Sequence, residues 1–98
     1  MKTRPVITIH YCSQCQWLLR SSWMAQELLS TFADDLAAVT LKPGRGGIFE
    51  IHADDHLLWE RKRDGGFPDA VSLKKRVRDY CFPEKALGHI DNQGKPGN

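Results

Sequence analysis

The chain has 98 residues, 41% of them hydrophobic, which suits one modest core and leaves little room for a second domain. Fourteen Lys and Arg stand against twelve Asp and Glu with the signs interspersed, and a net charge of +2 is no nucleic-acid footprint. No run reaches the length of an apolar membrane span, and Pro5, His10 and Tyr11 spoil a signal-peptide core, so a soluble cytoplasmic protein is expected.

"PVITIHYC" (5–12) is short and rich in β-branched and aromatic residues, and it predicts a strand with Pro5 at its start. The period then changes. From 14 to about 35, Leu18, Ala25, Leu29, Phe32 and Leu36 recur at helical spacing, and Trp17, Met24 and Leu28 widen the same face. This predicts a long amphipathic helix that must cover the sheet. "LAAVTLKPG" (36–44) predicts a second strand, stopped by Pro43 and Gly44.

"GRGG" (44–47) lacks the Lys-Ser/Thr and following helix of a phosphate-binding loop, and it is expected to be a flexible turn. "IFEIHADDHLLWERK" (48–62) alternates on both sides of Asp54-Asp55, as a hairpin does. A three-residue connection with a bulge would put Phe49, Ile51, Leu57 and Trp59 on one apolar face, whereas a two-residue turn would not. In "FPDAVSLKKRVRDYC" (67–81), Pro68 fits a first helical turn and Asp69 its positive end. Ala70, Leu73, Val77 and Cys81 share a stripe, Pro83 limits the helix, and Lys74, Lys75, Arg76 and Arg78 read as a solvated outer face. The order is strand, helix, strand, strand, strand, helix: an α/β layer with a parallel crossover followed by an antiparallel hairpin. Residues 92–98 are expected to be a flexible tail beyond a single domain over 1–91.

Three cysteines are too few for a disulfide-built secreted scaffold. Cys81 is expected to be a small core residue. Cys12 and Cys15 form a CxxC at the change from strand to helix, and three readings are open: a redox couple, half of a metal site, or two buried thiols. Cys12 is expected at the helix entrance and Cys15 about one turn inside, where free N–H groups and the dipole can lower a thiolate pKa to roughly 3.5–7.5. The charges agree, since the first acid after Cys12 is Glu27 and the nearest cation is Arg20. A structural zinc needs four ligands, and His10, His52, His56 and Cys81 offer no matching second pair. Copper chaperones also carry a CxxC before a helix, with a Met two residues earlier where this chain has His10. A metal-carrier role therefore ranks behind a redox one.

"YCSQCQW", "LKPGRGGIFEI", "LLWERKRDGGFPD" and "LGHID", in that order, resemble the motifs of the SelT/SelW/SelH (Rdx) family. The likeness runs from about Val6 to Asp91 and is to the selenoprotein W-like bacterial branch, in which cysteine replaces selenocysteine. The resemblance implies a thioredoxin-like fold and a thiol redox role for Cys12 and Cys15, with Cys15 at the selenocysteine position. It implies no metal or organic cofactor, with glutathione or a protein disulfide as the reaction partner. Thioredoxins carry a cis-proline before the hairpin, where this chain has Gly46-Gly47, so docking against such a proline is not expected. The pair is thus expected to cycle between dithiol and disulfide in an oxidoreductase-like reaction, with Cys12 the more exposed and first-attacking thiol. A redox-sensing interaction module without turnover is the alternative.

Overall fold

The computed structural model describes residues 3–88. Four strands, β1 (Val6–Cys12), β2 (Ala38–Gly44), β3 (Phe49–Ala53) and β4 (His56–Glu60), form one sheet in the order β2-β1-β3-β4. β2 runs parallel to β1, whereas β3 and β4 are antiparallel to their neighbours. Three helices complete the chain: α1 (Leu18–Phe32), a single turn α2 (Arg61–Asp64), and α3 (Ala70–Cys81). The result is the mixed α/β, thioredoxin-like architecture expected, with one helix more. The expected boundary at 91 and the tail over 92–98 lie outside the described residues.

The core lies between one face of the sheet and the buried stripes of α1 and α3. Ile7, Ile9, Phe49 and Ile51 pack there against Met24, Leu28 and Phe32 of α1 and Leu73 and Val77 of α3. Alternation sends Thr8, His10, Glu50 and His52 to the opposite face, all of them half-buried. β2 tolerates Pro43 and Gly44 as its last residues because it is an edge strand and loses no central ladder bond there.

The hairpin corrects the expected connection while keeping the bulge. Ala53 pairs with His56, so the turn is the two residues Asp54-Asp55. The register then shifts between Ile51 and His52, and Ile51 pairs with Trp59 while His52 pairs with Leu57. Leu58 is the extra residue. It is buried beside Trp59, and Leu57 is carried off the core face. Asp54 takes the left-handed φ of 51° and is tied to β1, accepting the Val6 N–H at 3.0 Å and donating its own N–H to the Val6 carbonyl at 2.8 Å.

α1 starts at Leu18, four residues later than expected, and its buried side runs through Ser21, Met24, Ala25, Leu28 and Phe32. Leu18 and Leu29, expected on that side, are exposed. α3 begins as its sequence suggests, with Asp69 as N-cap accepting the Ser72 N–H at 2.7 Å, but Pro68 precedes the cap instead of occupying the first turn. Its cations are largely engaged: Lys74 meets Glu27 at 3.0 Å, and Arg76 donates to the Leu58 carbonyl at 2.6 Å.

Candidate functional site

β1 and β2 run parallel and in register to their ends, so Cys12 lies opposite Gly44. The chain turns over there. Ser13 ties the new loop to the end of β2, its N–H and its Oγ both donating to the Gly44 carbonyl, at 3.0 and 3.2 Å. Gly44 has no room for a side chain: a Cβ would stand 2.6 Å from His10 Nε2 and 2.9 Å from Ile48 Cγ2. The loop therefore sits beyond the carboxyl ends of the parallel strands, where α/β sheets commonly place their sites.

Cys12 and Cys15 are joined by a disulfide across this loop, with Cα atoms 5.3 Å apart, a separation disulfides normally span. The two sulfurs are not equivalent. Cys12 is the last residue of β1 and only 1% exposed, whereas Cys15 lies in the open turn and is exposed. This corrects two expectations: Cys12 is not at a helix entrance, and it is the less accessible thiol. The reason is the four-residue delay of α1, which leaves residues 13–16 as a turn that bulges outward. Gln16 completes that turn in the left-handed region, φ 61°, and its N–H bonds the Ser13 carbonyl at 3.3 Å. Trp17 then opens α1 with no side-chain cap, and the first helical turn holds no acid. The positive helix end thus lies just after Cys15 in the chain, with no acid beside it to offset its charge.

An aromatic cluster holds the loop from behind. Trp17 meets Phe67 edge to face at 4.9 Å between centroids, and Phe67 meets Phe49 at 4.8 Å. Two guanidiniums lie over these rings, Arg20 at 4.1 Å from the centroid of Phe67 and Arg61 at 5.2 Å from that of Trp17. Neither Arg61 nor Phe67 is legible as a site residue from sequence, because only the β3–β4 hairpin and α2 bring them beside the CxxC. Trp17, in "YCSQCQW", is the one local signal. Cys81 lies apart, packed at the core's edge, and burial, with a smaller push from the Asp54 charge, raises its thiol to about 11. Among the described residues, no three His, Cys, Asp or Glu side chains gather as a metal would need.

The Rdx family model matches residues 6–79. This chain belongs to the Rdx family. The Rdx assignment agrees with two solved structures. A Bordetella parapertussis protein is 62% identical, with a TM-score of 0.77, over 79% of this chain and 98% of that one. A selenoprotein W-related protein from Vibrio cholerae is 52% identical, with a TM-score of 0.76, over 79% of this chain and 96% of that one. No curated protein matches the chain. No helix among the described residues of this Rdx protein is long and apolar enough to cross a membrane.

Proposed function

We propose that the protein is a thiol–disulfide redox protein of a reducing, cytoplasmic setting, in which Cys12 and Cys15 cycle between dithiol and disulfide. The observation that carries this is the bridged pair at the strand end, one sulfur exposed and the other buried directly behind it. In the reduced protein the Cys15 thiolate attacks a substrate disulfide, forming a mixed disulfide and expelling the first substrate thiolate. Cys12, having lost its proton, attacks the Cys15 sulfur, closes the internal disulfide and releases the second thiolate. Two electrons pass to the substrate, and the two protons given up by the cysteines end on its thiols. Glutathione is a suitable reductant for the return step, since each half of that exchange needs only a thiol.

The assay is turnover of a model disulfide by catalytic amounts of protein with glutathione in excess. With glutathione withheld, prereduced Cys12→Ala should stop at a mixed disulfide on Cys15, while Cys15→Ala should trap little, and both should turn over more slowly than the wild type once glutathione is restored. Full activity in either variant would refute a two-cysteine cycle.

A further inference from the structure

Large apolar side chains belong inside, and single exposed ones need no explanation, but a contiguous group beside a reactive sulfur does. Leu19 is 83% exposed, Leu18 50% and Trp23 41%, all in the first turns of α1 immediately after Cys15. Leu19 and Trp23 are four apart and share one outward helix face. With Gln16, Trp17 and Arg20 they line an open groove of about 470 Å³. Gln16, which lines the groove, is the residue next to Cys15, so the groove opens beside the exposed turn that carries the accessible sulfur.

Charge narrows the occupant. Arg20 is the only charged residue lining the groove. Arg61 flanks it across the Trp17 ring, and its buried Nε has no hydrogen-bond partner. Neither guanidinium has an ion pair among the described residues. Nearby carboxylates are engaged in part elsewhere: Asp64 takes the Arg63 guanidinium, Glu27 holds Lys74, and Glu60, which accepts the Lys62 and Arg63 N–H groups, also faces the Arg61 charge. The groove is therefore apolar, with the Arg20 guanidinium, which has no carboxylate partner among the described residues, at its edge. Glutathione could meet the charge, but it has no large apolar side chain to cover Leu19 and Trp23.

Resting on the redox reading above, we infer that the partner of Cys15 is a polypeptide cysteine with an apolar and an acidic neighbour. The apolar side chain covers Leu19 and Trp23, and the carboxylate pairs with Arg20. Binding this way delivers the partner's sulfur to Cys15, and the exchange is the one already written: the Cys15–partner bond forms as the partner's disulfide breaks, and Cys12 then releases the partner reduced.

The test is single-turnover mixing of the prereduced protein with three probes: the disulfide dimer of Ac-Leu-Glu-Cys-Leu-NH2, its Lys-for-Glu counterpart, and glutathione disulfide. The wild type should prefer the acidic peptide. A Leu19→Ser/Trp23→Ser double variant should lower the ratio of peptide rate to glutathione rate by roughly fivefold or more, the loss expected of an interface anchor. Arg20→Glu should invert the preference between acidic and basic peptides, a readout that general damage to the fold would not produce. An unchanged ratio in the double variant, or an unmoved peptide preference in Arg20→Glu, overturns the inference while leaving the redox reading intact. A wild type that reduces none of the three probes overturns both.

Discussion

At the scale of single residues, a strand end and a turn expose the two cysteines of one motif differently, and the proposed cycle gives them different jobs on that ground. The CxxC and the acid-free stretch after it were legible in the sequence, since both are local patterns. Which sulfur faces solvent was not, because it depends on four residues of non-helical turn that no propensity marks. Alkylation order follows from access and electrostatics together. Iodoacetamide added to the reduced protein near neutral pH should modify Cys15 first and Cys12 later. Cys81 should lag behind both, because its thiol, raised to about 11, is almost entirely protonated there. Mass mapping that found Cys12 modified first would show that exposure in the bridged form does not govern the reduced one.

At the scale of elements, a bulge, a phase shift and a cap explain where pattern reading succeeded and failed. The apolar face of Phe49, Ile51 and Trp59 was legible from alternation, and all three are buried. The turn length was not, because a two-residue turn with Leu58 bulged gives Trp59 the same parity as the three-residue turn that was expected. Trp59→Ala should cost about 3–5 kcal/mol in denaturant unfolding, from lost core packing. Truncation also removes the indole bond to the Gly66 carbonyl, 2.8 Å long. A loss under about 1 kcal/mol would mean that Trp59 is not a core residue. In α1, the expected stripe was drawn through Leu18 and Leu29 because they recur with Ala25, Phe32 and Leu36 at helical spacing. The buried stripe instead runs through Ser21, a residue that hydropathy discounts, and that helix phase turns Leu18, Leu19 and Trp23 outward. α2 was hidden inside "ERKRDGG", whose single turn depends on Glu60 capping Lys62 and Arg63 and on Gly65 at φ 80°.

The caps also set an acid limit. Glu60 is held below its usual range by the backbone N–H of Arg63 and then that of Lys62. Asp69 is held down by Ser72, through its backbone N–H first and its side chain next. For Asp64, burial pushes upward, but the Glu60 N–H and the Arg63 guanidinium outweigh it and the net shift is downward. A carboxylate with a lowered folded pKa contributes stability that is present above its unfolded value and lost as pH falls through the folded one. Thermal stability should therefore hold from neutral pH to the ordinary carboxylate range, about pH 4, and decline below it. Asp69→Asn keeps a capping oxygen but cannot titrate, so its melting temperature should fall less steeply in acid than that of the wild type. Parallel pH profiles for the two proteins would remove Asp69 from this account.

At the scale of the whole molecule, the fold's main contribution is to end two parallel strands at one place and hang a tethered loop there. The sheet order follows from local rules: a strand–helix–strand unit gives the parallel pair, and a hairpin adds the antiparallel edge. Of the aromatic and arginine surroundings, Phe49, Arg61 and Phe67 do not follow from local rules, since they come from segments far from the CxxC in sequence. The Rdx kinship suggests a redox role for these parts, and the proposed cycle assigns it to the pair of sulfurs. The measurement that bears on it most directly is a redox titration of the protein across glutathione buffers, with free thiols quenched by maleimide and mapped by mass. The account predicts one two-electron step in which Cys12 and Cys15 change together and Cys81 stays reduced. Cysteines that never pair, or that take up glutathione separately at every ratio without forming the internal bridge, would contradict it.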